Sequence, residues 1–378
     1  MKKRIGIDMR MAGEGFGIGK YITELASALI KRKSEFEYVL FFDKNFSAEA
    51  YNKFSKIHPH CRLIAARYYS LEEQIKLPAI LSRERLDLVH FPNFNVPLLY
   101  PGKTVITIHD LIHHRFSGKR KKNFLYRWGY RTVINLAARK ALQIITVSSA
   151  SKNDIIRLLG ISPEKVSFIY NGLAENFKPD LDLNKIETVK RKYKISKPYL
   201  LWVGVWRKYK NLPLLSQAFE LVQNRLQGQL QLVLVGEEDG NYPEIKPLIL
   251  KNRYSRDIIA PGRILEPDLI ALYSGALAYI SPSLLEGFNL PALEAQACSA
   301  PLIASDTSVA REIFGDSAMY FDPREPQQLI ERILEIFRNS ALRQAFRKKA
   351  NENSLKYRWE KTATETEGIY RKILLPEI

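Results

Sequence analysis

The apolar run Ala276–Ile280 constrains the fold more than any other stretch. A continuous apolar run of strand length, with no polar residue alternating through it, fits a strand buried on both faces, as in a parallel sheet covered by helices. Turn residues follow through Ser281-Pro-Ser-Leu-Leu-Glu286-Gly-Phe-Asn-Leu-Pro291. The next segment, Pro291-Ala-Leu-Glu-Ala-Gln-Ala-Cys298, predicts a helix with proline at its first position. Gly287 and Asn289 give the turn its conformational freedom. Strand, tight turn and helix N-terminus is the arrangement in which an α/β protein holds phosphate.

Two glutamates flank this helix start, Glu286 in the loop and Glu294 expected in the first turn. An ionised carboxylate only accepts hydrogen bonds and so suits hydroxyl donors on a sugar or ribose. The backbone N–H groups of Asn289 and Leu290 suit a phosphate between them, while Pro291 has none to offer. A nucleotide-sugar presents hydroxyls, a pyrophosphate and then hydroxyls again, and the stretch fits it. The alternative is a pair of acidic residues that merely complement the helix dipole.

Glu286-x7-Glu294, with Glu286-Gly-Phe-Asn-Leu-Pro291 inside it, resembles the signature of the family-4 retaining glycosyltransferases. The likeness continues through Ala300-Pro-Leu-Ile-Ala-Ser-Asp306, Arg311-Glu312 and Phe321-Asp-Pro323. It implies the GT-B fold: two Rossmann-like, doubly wound α/β domains facing across a cleft. Asn289 and Ser299 stand where many relatives have glycine. Asn tolerates the left-handed geometry that glycine supplies.

The chain has 378 residues, enough for two cores. No apolar run approaches 18 residues, and Met1–Asp8 predicts a strand in place of a signal peptide. Two cysteines, Cys61 and Cys298, are too few for a disulfide framework, which points to the cytoplasm. Residues 1–175 carry 29 Lys and Arg against 15 Asp and Glu; the remainder carries 29 against 25. A basic half beside a nearly neutral one predicts an anionic partner for the first half, with membrane lipid and nucleic acid as candidates. No nucleic-acid recognition motif accompanies that charge.

Strand Arg4–Met9, the glycine-rich turn Gly13–Gly19 and a helix to about Lys31 open the first domain. The turn lacks P-loop spacing, since Lys20 is not followed by Ser or Thr, and has no clean G-x-G-x-x-G. Gly17-Ile-Gly19-Lys20-Tyr21 resembles the segment opening many family-4 chains, where it lies near donor phosphates and acceptor. Further strands are expected at Tyr38–Phe42, Leu86–Phe91, Lys103–Ile108 and Gln143–Val147, alternating with helices. His90 and His109-Asp110 fall at carboxyl ends of strands, where such sheets bind ligands. Thr107-Ile-His109-Asp110-Leu111 resembles the family's Thr-x-His-Asp-Leu motif, whose histidine meets the transferred sugar. His90 and Asp110 are placed on the acceptor side. His58-Pro-His-Cys61 lacks a partner ligand cluster and is expected as a surface loop. Arg115–Arg131 mixes basic and aromatic residues, including Lys119 to Lys122. It predicts either an anionic membrane surface or a solvated loop before a core helix using Phe124, Trp128 and Val133.

Asn171-Gly172 and Phe177–Asn184 predict the linker, dividing a domain of residues 1–175 from one of 176–358. Asp180-Leu-Asp182 falls within it with no strand before it, so a metal role is not assigned. The second domain is expected to begin with strand Tyr199–Val205. Gly204 lies six residues before Lys210, resembling the family's Gly-x5-Lys-Asn segment. Cations here would neutralise a departing pyrophosphate. Relatives carry arginine at the positions of Val205 or Tyr209, so Arg207 is the candidate to supply that guanidinium. Strand Leu230–Val235 ends in Gly236-Glu237, and Ile259–Ile264, with Arg263, predicts a strand and a loop that in relatives meets the nucleobase. A final helix from Trp359, residues 359–378, resembles the family segment that returns to the first domain.

The resemblance implies retaining transfer of a hexose from a nucleotide-sugar, UDP-glucose first and GDP-mannose next, to a saccharide or lipid-linked saccharide in exopolysaccharide or cell-surface glycan synthesis. It implies no cofactor and no obligatory metal. The implied catalytic residues are His109, Glu286, Lys210 and Arg207; the donor-binding residues are Gly17, Gly19, Gly204, Arg263, Gly287, Phe288, Asn289, Leu290 and Glu294. A same-fold epimerase or hydrolase and a basic nucleic-acid-binding protein stand as the alternatives.

Overall fold

The computed structural model describes residues 2–13, 17–116 and 124–375. Glu14 to Phe16 of the glycine-rich turn and residues 117–123 of the basic-aromatic stretch, Lys119 to Lys122 included, lie outside the described residues. The chain separates into two compact units, each with its own sheet.

The first unit takes residues 2–13, 17–114, 124–172 and 358–375. It is built from β1 (Lys3–Asp8), α1 (Ile18–Lys31), β2 (Phe36–Asp43), α2 (Ala48–Phe54), β3 (Cys61–Ile64), α3 (Leu71–Arg83), β4 (Leu88–Phe91), β5 (Thr104–Thr107), α4 (Ile112–Arg115), α5 (Phe124–Lys140), β6 (Gln143–Thr146), α6 (Ser149–Leu159) and β7 (Val166–Phe168). Its strands pair in parallel in the order β3-β2-β1-β4-β5-β6-β7. The order reverses between β1 and β4, so the sheet is doubly wound. β4, β5 and β6 are buried at every position, as helices on both faces require. α1 buries Tyr21, Ile22, Leu25, Ala26, Ala28 and Leu29, a stripe at helical spacing.

The second unit contains α7 (Leu183–Lys192), β8 (Tyr199–Val203), α8 (Leu212–Leu226), β9 (Gln231–Val235), α9 (Ile245–Leu250), β10 (Ile258–Gly262), α10 (Glu266–Gly275), β11 (Ala278–Ser281), α11 (Leu290–Ala297), β12 (Leu302–Ser305), α12 (Ser308–Phe314), β13 (Ala318–Phe321), α13 (Pro326–Arg338) and α14 (Ser340–Ser354). The order β10-β9-β8-β11-β12-β13 is again parallel and doubly wound, reversing between β8 and β11. Trp202, Phe219, Leu232, Ile280 and Ile333 are among the side chains filling its core. Each large apolar side chain so enclosed contributes about 1.5–3 kcal/mol. The chain then re-enters the first unit through α15 (Trp359–Leu374), which packs along α1 and buries Trp359, Thr362, Ala363, Thr366, Glu367 and Tyr370.

Some local expectations are corrected. The helix after β11 starts at Leu290, so Glu294 lies beyond its first turn. The loop expected at His58–Cys61 runs into edge strand β3, which begins at Cys61 itself. Trp128 is 63% exposed and does not fill a core. Asp182 caps α7, accepting from the amides of Asn184 and Lys185, and Asp180 pairs with Lys185 at 2.6 Å. Among the described residues no group of His, Cys, Asp and Glu is arranged to hold a metal, and no helix is long and apolar enough to cross a membrane.

Candidate functional site

The switch point of the second sheet lies between β8 and β11, and the loops leaving these two strands carry most of the charged candidates. Leu284 of the second loop donates its amide to the carbonyl of Tyr209 in the first, at 2.8 Å, tying the loops together. Across that seam Lys210 Nζ donates to Glu286 Oε1 at 2.6 Å. Both side chains are largely enclosed, with 14% and 12% exposed. Burial pulls the lysine pKa down, but the Glu286 carboxylate and Tyr209 together outweigh it and hold the ammonium above its ordinary value.

Asn289 caps α11 in left-handed backbone geometry, φ 72° and ψ 55°, and its Nδ2 donates to Ser281 Oγ at 2.7 Å. The loop thus folds back onto the end of β11. Pro291 has no N–H, and Ala292 and Leu293 donate to the Asn289 carbonyl at 3.1 and 3.3 Å, so the Asn289 and Leu290 amides stand at the positive end of the helix dipole. Ser281, Ser283, Glu286, Asn289, Ser305 and Thr307 are among the residues lining a small polar hollow here. Ser299, the other position where relatives have glycine, is also left-handed, at φ 61°.

Glu294 is buried and accepts from Tyr273 Oη at 3.3 Å. Phe288 is 3% exposed and its ring packs edge-on against Tyr357 at 5.6 Å, so its side chain anchors the loop and leaves only its backbone for a ligand. Gly287 is buried, Leu290 opens α11, and Arg263 follows β10 with its side chain exposed.

Arg207 donates from Nε to Asp239 Oδ2 at 2.9 Å, with Nη1 3.5 Å from Tyr209 Oη. Burial works against the Asp239 charge, but the amide and side chain of Asn241, with Arg207, hold its pKa below the usual range. The strand ends behind these residues are glycine: Gly204 after β8, Gly236 after β9 and Gly262 ending β10. Gly236 N donates to Gly262 O at 2.9 Å. A Cβ on Gly236 would stand 1.9 Å from Gly204 O, and its φ of 122° also requires glycine. Gly236, Asp239 and Tyr273 were not among the sequence candidates. For Gly236 the signal was present, an apolar run ending in glycine as β8 does; for the other two no local signal exists.

In the first unit His109 follows β5, with Nε2 3.0 Å from the Pro92 carbonyl. A carbonyl only accepts, so Nε2 carries the hydrogen and Nδ1 keeps a lone pair. Burial pushes the His109 pKa down to about 4, against the opposing pull of that carbonyl, and the ring is neutral at pH 7. The Tyr21 ring lies edge-on to it at 4.6 Å. Asp110 accepts from the Ile112 amide at 3.0 Å and starts α4. Gly17, at φ 69°, caps α1, and Gly19 is buried in that helix's first turn.

His90 does not fit the acceptor-side role expected of it. It is 0% exposed; Nδ1 is 2.6 Å from Tyr370 Oη and Nε2 2.9 Å from Thr107 Oγ1. Burial, then the neighbouring His109, push its pKa down to about 3. Since β4 is central and buried on both faces, a side chain pointing from it meets protein, not ligand.

The model of glycosyl transferases group 1 matches residues 185–353, and the Glycosyltransferase Family 4 model matches residues 17–176. The O-antigen chain mannosyltransferase B of Escherichia coli is 26% identical over 368 residues, covering 94% of this chain and 96% of its own. The serotype-specific mannosyltransferase WbdA of Escherichia coli is 29% identical over 286 residues, and the match spans 34% of its length. Among solved structures, Anabaena HepE in complex with UDP and glucose superposes with a TM-score of 0.79 at 17% identity, covering 98% of this chain and 100% of that one. Two parallel doubly wound sheets, the charged switch point and these matches along both units lead to one conclusion: the chain is a GT-B glycosyltransferase belonging to family 4, group 1.

Proposed function

We propose that the chain is a retaining, metal-independent mannosyltransferase that extends a saccharide or lipid-linked saccharide of a cell-surface glycan. The observation that carries this reading is the ionic cluster at the β8–β11 switch point: Lys210 and Glu286 in contact beside the open N-terminus of α11, with Glu294 on the same helix. In this reading Glu294 takes the ribose hydroxyls, Glu286 the sugar hydroxyls, and the amides of Asn289 and Leu290 with Lys210 and Arg207 the diphosphate. Neutral His109 offers its Nδ1 lone pair to a saccharide hydroxyl. The mannosyltransferase names of the similar proteins move GDP-mannose ahead of the UDP-glucose first expected.

The acceptor hydroxyl attacks the anomeric carbon on the face the diphosphate leaves. The bond from that carbon to the phosphate oxygen breaks, and this oxygen takes the acceptor proton. Charge builds on the departing phosphate, where two cations and a helix N-terminus offset it.

The test is thermal-shift binding of UDP, GDP and their hexose conjugates, with Glu294→Ala in parallel. GDP and GDP-mannose should raise the melting temperature of the wild type and leave the variant unmoved. No shift from any nucleotide, or a shift retained by Glu294→Ala, refutes the donor site. Turnover should disappear in Glu286→Ala with the fold intact. NMR of the product should show an α-linked mannose, whereas sugar change without acceptor would reveal an epimerase or hydrolase.

A further inference from the structure

Away from the ionic cluster, five aromatic rings run in a row past the carboxyl ends of strands in the first unit. Phe46 follows β2, Tyr68 and Tyr69 follow β3, Phe94 follows β4, and Tyr130 lies on α5. Successive ring centroids are 5.5, 5.7, 6.1 and 5.4 Å apart, each pair edge-on or tilted. Edge-to-face contacts of this kind fix ring orientations. Phe46 is 39% exposed and Tyr69 56%. The guanidinium of Arg67 covers the outer end, 4.8 Å from the centre of the Phe46 ring.

Tyr69 is held where a bulky side chain is strained, at φ 57°. Its amide donates to Glu73 Oε2 at 3.1 Å, and its Oη accepts from Asn93 Nδ2 at 3.1 Å. Glu73 is 1% exposed and is gripped in turn by Arg10 Nη2 at 2.6 Å and Asn95 Nδ2 at 2.5 Å. Arg10, wholly buried, also reaches Asp8 at 2.7 Å and the Ala66 carbonyl at 3.0 Å. Buried ion clusters add little net stability compared with apolar packing. What this one does is fix the β3–α3 loop so that the Tyr69 ring is displayed. The row passes close to His109 in the chain: the carbonyl His109 holds belongs to Pro92, and Asn93 and Phe94 follow directly.

A pyranose has C–H faces that pack on uncharged rings and a rim of hydroxyls that needs polar partners. We propose that Tyr69 and Phe94, with Phe46 and Tyr68 beyond them, form a stacking platform for an oligosaccharide, the acceptor glycan. The proposal deepens the transferase reading by giving its acceptor a seat, and it is testable without donor.

The experiment titrates the full chain with α-mannotetraose and with maltotetraose by calorimetry, and separately with phosphatidylglycerol vesicles. Tyr69→Gly removes the ring and relieves the left-handed strain, so its melting temperature should not fall. It should weaken tetrasaccharide binding at least about tenfold and leave the nucleotide shift intact. Tyr69→Phe, which keeps the ring, should retain binding. Equal tetrasaccharide affinity in wild type and Tyr69→Gly overturns the proposal, as does failure of the wild type to bind either tetrasaccharide. Binding of vesicles alone, lost in Tyr69→Gly, overturns it in favour of a lipid surface. Tetrasaccharide binding without any nucleotide shift would instead refute the donor site and leave the platform standing.

Discussion

The Lys210–Glu286 pair can be dissected without substrate. At 2.6 Å two unit charges attract by about 6 kcal/mol at an effective dielectric of about 20. Withdrawing each from water costs several kcal/mol, so only about 2 kcal/mol of that attraction survives as net stability. Removing one partner is different, because the other remains enclosed and uncompensated. Lys210→Met and Glu286→Gln should each cost about 3 kcal/mol, the double substitution about 2, and the coupling should be about 4 kcal/mol. Urea unfolding of the ligand-free variants measures this, with hydrogen exchange of peptides from β8 and β11 isolating the second unit. The Lys210 pKa is raised, so the pair's contribution is whole below the unfolded lysine value of about 10.4 and is lost as pH climbs through the folded value. Lys210→Met should lack that alkaline loss. Additive single costs, within about 0.5 kcal/mol, would refute the pairing as an energetic unit.

Three further outcomes follow from backbone and burial. Gly172→Ala places a Cβ 2.2 Å from the backbone nitrogen of Trp359, which cannot swing aside; about 3 kcal/mol should be lost in urea unfolding, and a change within 0.5 would refute the contact. Ser299→Gly relieves a left-handed serine and should raise stability by about 0.5–1 kcal/mol, whereas Asn289→Gly should gain less because the Ser281 bond goes with the side chain. His90 and His109, held neutral with pKa values near 3 and 4, bind protons more readily unfolded. Stability should therefore fall by about 1.4 kcal/mol per pH unit for each as pH drops below about 6.5, and urea midpoints of His90→Gln should lose roughly half of that slope between pH 6 and 5.

Central strands were legible because burial on both faces writes itself as an uninterrupted apolar run, as in Leu232–Val235 and Ala276–Ile280. Of the edge strands, β10 was expected at Ile259–Ile264, but β3 and β7 were not. β3 reads Cys-Arg-Leu-Ile, half-exposed, and β7 spans Val166–Phe168 alone; neither carries enough pattern to outweigh a loop. β12 and β13, Leu302–Ser305 and Ala318–Phe321, were also missed as strands, being short apolar pieces within stretches noticed for their motif. The Glu286-x7-Glu294 spacing located one charged loop, but that Lys210 contacts Glu286 depends on β8 and β11 pairing, which no local pattern encodes. His90 was misjudged for a related reason: a strand's carboxyl end says where a ligand lies, not whether a given side chain points to it.

The two units use one topology for two kinds of chemistry. In the second, the switch point is ionic: Lys210 against Glu286, Arg207 against Asp239, and a helix dipole, all suited to the charge that develops on a leaving diphosphate. In the first, Asp8 ends β1 and Asp110 follows β5, but the histidines and rings at the strand ends are neutral. Two histidines are kept uncharged by burial, and a row of aromatic rings runs past them. Buried Arg10 and Glu73, with the partly buried Asp8, pair with one another beneath the loop that shows Tyr69. A saccharide acceptor is uncharged and must not be protonated or repelled before its hydroxyl attacks, so a neutral platform suits it as the ionic cluster suits the donor. The net charge of +18 is then no guide to the proposed substrate: the cations that reading uses, Lys210 and Arg207, are each paired with a carboxylate brought to them by neighbouring strands.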